Sequence, residues 1–435
     1  MCYNGFMIRK DLIKTIIHDN QNRVITDIWK RSLRIPTDSG KIITLTGVRR
    51  SGKTCHLFSL IDQLITGGAS PERLLYFNFD DERLDLSPGN LDIILQAYQE
   101  MYPSLALSKC YFFFDEVQEA PGWEKFVNRI HATISPNIYI TGSNARLLSR
   151  EIATNLRGRT LTFEIFPLSF NEFAGVLSPA LNPYKSTDRA VLVNLFEKFI
   201  HQGGFPELIR LSSDLHEKTL QEYFNVMLFR DLIERYQISN SSVLKYFCKR
   251  IVGASGGEFS VNRIFNDLKS QGYKISKDTL YAFQDQAESV YLTRFVNKWS
   301  ESVVKSENSL KKCYVIDHGL GAALDFKLRQ DIGRLLETTV ALELLKQGKQ
   351  IAYYQNGIEC DFLIIEKQGV TGCIQVCASL ADDKTRSREI KGLVQTCRKF
   401  DLHEGVIITL DFAEEIKLDN VSIHILPAWQ YFYTA

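Results

Sequence analysis

Eight consecutive residues, Gly47-Val48-Arg49-Arg50-Ser51-Gly52-Lys53-Thr54, satisfy the pattern G-x-x-x-x-G-K-[ST] at every fixed position. Glycines at both ends of such a loop let main-chain N–H groups wrap an anion, and the N-terminus of a following helix adds its dipole. In that arrangement Lys53 reaches the β- and γ-phosphates of a nucleotide and the Thr54 hydroxyl reaches Mg2+. Nucleotide contacts are therefore expected from Gly47, Arg49, Arg50, Ser51, Gly52, Lys53, Thr54 and Cys55.

A second group lies 62 residues beyond Lys53, where Cys110-Tyr111-Phe112-Phe113-Phe114 runs into Asp115-Glu116. Two adjacent carboxylates at the end of a fully apolar strand form a Walker B element. Asp115 is expected in the Mg2+ shell, and Glu116 is expected to polarise the attacking water as general base. A third candidate follows Asn137-Ile138-Tyr139-Ile140-Thr141-Gly142, where Ser143 or Asn144 could orient that water; the residues do not choose between them. In Asn155-Leu156-Arg157-Gly158-Arg159, an arginine could act on a neighbour's nucleotide or on its own, stabilising charge on the transferring phosphoryl group, and Arg157 and Arg159 both qualify.

The elements that must hold these groups are legible from their period. Lys41 to Thr46 is short, β-branched and apolar, which predicts a strand, and Cys55 to Ile65 carries apolar residues at helical spacing. A strand that is apolar without alternation is buried on both faces, as in a parallel sheet, and open parallel sheets bind ligands at the carboxyl ends of their strands. Leu74 to Asp80 predicts a further strand, about 88 to 101 a helix, and 8 to 34 a leading helix or helix pair.

Composition narrows the function classes. The 435 residues, 45% hydrophobic, suffice for two to four domains, and a formal net charge of +1 gives no general attraction to nucleic acid or anionic lipid. Any DNA contact must be local. Nine scattered cysteines without a C-x-x-C pair argue against a disulfide framework or structural zinc and suit a reducing cytoplasm. No apolar run approaches a membrane span, and MCYNGFMIRK has no signal-peptide core.

Beyond the third strand the chain is helical by period from 171 to 240, with Gly203-Gly204-Phe205-Pro206 as a turn between two stripes. Residues 241 to 317 suggest three helices followed by a hairpin, the layout of a winged helix-turn-helix. Its third helix, 276 to 288, carries Lys277 against Asp278, Asp285 and Glu288, a net of −2 that disfavours phosphate contact. The hairpin, with Lys298, Lys305, Lys311 and Lys312 against Glu301 and Glu307, suits DNA better.

GVRRSGKT, FNFDDERL, YFFFDEVQEAPGWE, YITGSNARLLS, LRGRT, FPLSFNEF and GGFPE together resemble the prokaryotic AAA-type ATPases that join an AAA core to a C-terminal domain of uncharacterised function. The resemblance covers almost the whole chain. It implies an α/β P-loop NTPase fold with an ASCE-type parallel sheet, ATP and Mg2+ as cofactors, ATP hydrolysis and an oligomer-capable core. It also implies an order of domains: the core with its leading helices over 1–170, a helical lid over 171–240, a winged helix over 241–320 and a restriction-endonuclease-like α/β domain over 321–435.

In active members of that last fold a helix Glu, a strand Asp and an E-x-K bind Mg2+. Glu337 and Asp361 match the first two, but the third strand reads Ile374-Gln375-Val376-Cys377. A neutral Gln375 is a weak ligand for a hard cation and Cys377 is no lysine, so the expectation is an inactive nuclease. Lys384, Arg386, Arg388, Lys391, Arg398 and Lys399 gather on one predicted helix, which could hold nucleic acid without cutting it. The function expected is ATP hydrolysis coupled to movement of the C-terminal domains, with a nucleotide-switched protein-interaction module as the alternative. Whether the partner is DNA or protein stays open.

Overall fold

The computed structural model describes residues 2–23, 28–84, 90–142, 156 and 158–434, which form two compact units, Met1–Ile165 and Phe166–Ala435. In the first unit the elements run α1 (Cys2–Gln21), β1 (Ile42–Thr46), α2 (Lys53–Thr66), β2 (Leu74–Asn78), α3 (Asp92–Met101), β3 (Tyr111–Asp115), α4 (Trp123–Thr133), β4 (Ile138–Gly142) and β5 (Thr160–Glu164). Of the leading helix or helix pair expected over 8–34, the described residues show one helix, α1, and residues 28–41 are irregular up to β1.

All five strands are parallel, in the order β2-β3-β4-β1-β5. Apolar side chains on both strand faces drive this layering. Phe113 and Tyr139 stack at 4.7 Å within the core that packs α2, while Phe112 and Phe114 point into the opposite core with Ile94, Tyr98 and Ile130. Each such buried ring contributes about 2–3 kcal/mol. The register aligns the carboxyl ends: Thr46 pairs with Gly142, and Asn78 pairs with Asp115. Because β4 lies between β1 and β3, the end of β4 falls between the glycine loop and the two carboxylates.

The second unit begins with α5 (Phe170–Leu177), started by a Ser169–Glu172 capping box, then α6 (Ser186–Gln202) and α7 (Ser213–Val226), which continues into a π-helical stretch over Met227–Glu234. Next come α8 (Ser241–Gly253), β6 (Gly257–Phe259), α9 (Val261–Ser270), α10 (Lys277–Ser289), β7 (Thr293–Val296), α11 (Val303–Asn308) and β8 (Lys311–Val315). These three strands form an antiparallel sheet in the order β6-β8-β7.

After α12 (His318–Leu324) and α13 (Phe326–Gln330) follow α14 (Ile332–Lys346), β9 (Gln350–Gln355), β10 (Glu359–Glu366) and β11 (Gly369–Val376). Then come α15 (Asp383–Lys399), β12 (Glu404–Thr409), β13 (Glu414–Leu418), β14 (Val421–Pro427) and α16 (Ala428–Thr434). The resulting sheet has the order β13-β14-β12-β11-β10-β9, with β11, β12 and β14 parallel and both flanks antiparallel. The Asp317 carboxylate ties two regions of this unit together, accepting from Leu320 N at 2.9 Å to cap α12 and from Gly204 N at 2.7 Å.

Candidate functional site

The loop between β1 and α2 is built from unusual backbone. Gly47 has φ +145°, Arg50 +67° and Gly52 +98°, and a Cβ at Gly47 would collide with the carbonyl oxygen of Ile165. Only glycine fits there. Gly52 leads directly into α2, whose first turn holds no acidic residue and receives no side-chain cap, so its N–H groups stay available to an anion.

Lys53 is buried, and its Nζ donates to the carbonyls of Gly47 at 3.1 Å and Val48 at 3.2 Å. Arg31 Nη1 donates to the carbonyl of Ser51 at 3.1 Å, steadying the loop from the irregular segment before β1. The Ser51 hydroxyl is buried with no hydrogen-bond partner among the described residues. Arg50 and Cys55 are exposed at the same turn, and Arg49 is half-buried.

At the end of β3 the Asp115 carboxylate, 1% exposed, receives three hydroxyls. Thr54 Oγ1 and Tyr76 Oη donate to Oδ2 at 2.7 and 2.8 Å, and Thr141 Oγ1 donates to Oδ1. Burial, then the neighbouring Glu116, push the Asp115 carboxyl up, and the three hydroxyls pull it back. Burial, reinforced by Asp115, holds the Tyr76 phenol protonated, so it serves Asp115 purely as a donor.

Thr141 also accepts the Glu116 main-chain N–H at 2.9 Å. Glu116 adopts φ +51°, which turns the chain sharply after the strand, and Gln118 Nε2 donates to its Oε2 at 2.5 Å. A single hydroxyl thus engages the Asp115 carboxylate with its proton and the Glu116 main chain with a lone pair. The buried Ser51 hydroxyl, the uncapped helix start and the hard oxygens of Thr54 and Asp115 fit a triphosphate with Mg2+.

Thr141, Tyr76 and Arg31 were not singled out by sequence reasoning. Thr141 lies inside the strand pattern, and only the strand order brings it between Asp115 and the loop. Ser143, Asn144 and Arg157 lie outside the described residues. Of the two alternatives for Arg159, action on this chain's own nucleotide is the one its position opposes. Its carbonyl accepts Ile42 N at 2.9 Å at the start of β1, the end of the strand opposite the glycine loop, and its Nη1 donates to Asn128 Oδ1 at 2.7 Å. The parallel register therefore removes Arg159 from this chain's own nucleotide site.

In the second unit, Glu337 on α14 and Asp361 on β10 do come together, with Lys312 of β8 between them. Lys312 Nζ donates to Glu337 Oε1 and to Asp361 Oδ1, each at 2.9 Å. Tyr314 Oη donates to Glu337 Oε1 at 2.8 Å, and Val376 N donates to Asp361 Oδ2 at 3.0 Å. Gln375 joins the group, its Oε1 accepting Asp361 N at 3.3 Å. Cys377 does not; its thiol donates to the Ser379 carbonyl. The basic residues of α15 are largely matched by acids, Arg386 with Glu414, Arg388 with Glu389, Arg398 with Asp419 and Lys399 with Glu301.

A family model described as an AAA domain matches residues 39–174, and one described as a domain of unknown function (DUF8612) matches 193–331. A Methanocaldococcus jannaschii protein, "Uncharacterized protein MJ1544", is 33% identical over 443 residues, which cover 98% of this chain and 96% of that protein. The chain belongs to the family of MJ1544. A Haemophilus influenzae protein described as uncharacterized is 28% identical over 90% of this chain and 94% of its own length. Among solved structures, the Walker-type ATPase PABY2304 of Pyrococcus abyssi overlaps 65% of this chain and 90% of its own, at 15% identity and a TM-score of 0.41. This member of the MJ1544 family carries an AAA-type P-loop ATPase domain, as the matched residues and the parallel sheet agree. Among the described residues no helix is long and apolar enough to cross a membrane.

Proposed function

We propose that the chain binds ATP with Mg2+ at the loop of Gly47 to Thr54, hydrolyses it, and uses the cycle to change the state of its second unit. The observation that carries this reading is Thr141, whose one hydroxyl holds both Asp115 and Glu116 beside the Lys53–Thr54 turn. Mg2+ would neutralise charge on the transferring phosphoryl group. Lys53 would turn from the Gly47 and Val48 carbonyls to phosphate oxygens, Thr54 and Asp115 would hold the metal, and Glu116 would take the proton of the attacking water. A positioned base of this kind contributes roughly 10²–10⁴-fold.

The second unit is read as a helical lid over residues 171–240, a winged helix over 241–320 and a nuclease-like domain over 321–435. Three helices with the antiparallel β6-β8-β7 sheet support the winged helix. A helix Glu facing a strand Asp on the antiparallel β9-β10-β11 flank supports the nuclease-like fold. Gln375 and Cys377 support its being inactive. The partner moved by the cycle is DNA or a protein, and the acidic α10 favours contact through other faces than that helix.

The test is ATP binding and Mg2+-dependent turnover by the full chain, with and without double- and single-stranded DNA. Lys53→Ala is expected to abolish binding and Glu116→Gln to retain ATP without turnover. Parental turnover in Glu116→Gln would overturn the role of Glu116, and no binding or turnover by the parent would overturn the reading.

A further inference from the structure

The Glu337–Asp361 pair has the geometry of a cation site that is already filled. Two carboxylates from different elements converge on the Lys312 ammonium at 2.9 Å each, the position a divalent ion would take in a nuclease of this fold. The three side chains are 14%, 8% and 8% exposed, so the ammonium is sealed in. Both carboxylates are further engaged, Glu337 by the Tyr314 hydroxyl and Asp361 by the Val376 N–H, and the ammonium also lies 5.7 Å from the centre of the Tyr353 ring. These are the ion pairs that Glu337 and Asp361 make among the described residues.

We propose that Lys312 is the resident cation of this site, standing where Mg2+ would stand, and that a divalent ion enters only when β8 withdraws that lysine. The donor set behind the lysine is otherwise suited to a hard cation. Glu337 and Asp361 supply charged oxygens, and Mg2+ is commonly held by one or two carboxylates. What disqualifies the site is an occupant. A tethered ammonium cannot be diluted away, and the two carboxylates offset the cost of stripping its water. The resemblance to a nuclease fold therefore fails at the metal for a reason other than the altered Gln375 and Cys377. A second consequence is mechanical: β8 belongs to the three-stranded sheet, so Lys312 bolts that sheet to α14 and β10. The inference is independent of whether the first unit hydrolyses ATP.

The test is Mn2+ titration of the nucleotide-free full chain, followed by the electron paramagnetic resonance signal of the free ion. Wild type and Asp361→Asn should take up Mn2+ identically, because neither holds it here. Lys312→Met should gain one Mn2+ per chain at a concentration at least tenfold lower than any wild-type uptake, and Lys312→Met/Asp361→Asn should lose that gain. Lys312→Met leaves two buried carboxylates unpaired, so Lys312→Gln, which keeps a neutral donor, serves if Lys312→Met does not fold. Uptake of one more Mn2+ by wild type than by Asp361→Asn would overturn the proposal, as would the absence of any gain in a folded Lys312 variant.

Discussion

Thr54 Oγ1 and Asp115 Oδ2 are 2.7 Å apart although 61 positions separate them in the chain. The hydroxyl comes from the first turn of α2 and the carboxylate from the end of β3, so their meeting reports the alignment of helix and sheet. Thr54→Ala removes that hydroxyl without disturbing the glycine backbone. Turnover should fall about 10–100-fold, the usual cost of losing a group that orients a metal ligand. Nucleotide affinity measured without Mg2+ should hold. A loss of Mg2+-free affinity equal to the loss of turnover would show that Thr54 serves the phosphates instead.

Thr141→Val tests the hydroxyl shared by Asp115 and Glu116. Valine keeps the shape but leaves the Glu116 N–H without its 2.9 Å acceptor, a cost of about 1–3 kcal/mol in stability. Turnover should drop about tenfold or more as the carboxylates lose their alignment. Thr141→Ser should recover most of both. Urea unfolding and ATPase rates on the three proteins decide it, and parental turnover in Thr141→Val would sink the argument.

Gly47→Ala places a methyl group against the carbonyl oxygen of Ile165 at φ +145°. Neither the backbone angle nor the neighbouring main chain can yield cheaply, so the first unit should lose about 3 kcal/mol, near the upper end for strained backbone. Thermal unfolding would show this as a drop of several degrees. An unchanged midpoint would mean that the loop adopts another conformation.

His318 supplies a pH dependence. It is fully buried, its ring packs 4.7 Å from the Phe199 ring, and its Nε2 donates to the Phe199 carbonyl at 2.8 Å. Burial lowers its pKa; Lys346 and His201 act in the same direction, while Asp317 and the Phe199 carbonyl oppose them. A folded pKa below the ordinary value of about 6.5 means that the unfolded chain binds the proton first. The stability this group contributes is therefore complete above about pH 6.5 and falls as the pH drops from there through the folded pKa. The urea midpoint of wild type should fall between pH 7.5 and 5.5 by more than that of His318→Asn. Equal falls would assign the acid sensitivity to other groups.

The loop and the Walker B pair were legible because each is written in contiguous residues. Gly47 to Thr54 encodes a turn by its glycines, and Tyr111 to Asp115 encodes a buried strand by its unbroken apolar run. Short-range sterics and burial on both faces produce these elements wherever the sequence occurs. In the second unit the helical run over 171–240 and the three helices and hairpin over 241–317 were legible from the same periodicities, whereas α11, which interrupts the connection between β7 and β8, was not.

Which side chains meet was another matter. Ser143 and Asn144, expected beside the carboxylates, lie outside the described residues; among the described ones Thr141 makes a contact there, because strand order, not chain order, places β4 between β1 and β3. Arg159 was expected to act on a neighbour's nucleotide or on its own, and the hydrogen bond from Ile42 N holds it at the strand end opposite this chain's glycine loop. Lys312 lies 25 and 49 positions from the acids it neutralises and belongs to a different sheet. The sequence by itself determined the anion loop, the carboxylates and the strands that carry them, since local backbone preference and apolar period suffice for those. Only the tertiary structure decided their partners, since register and strand order depend on packing across the whole unit and leave no mark on neighbouring residues.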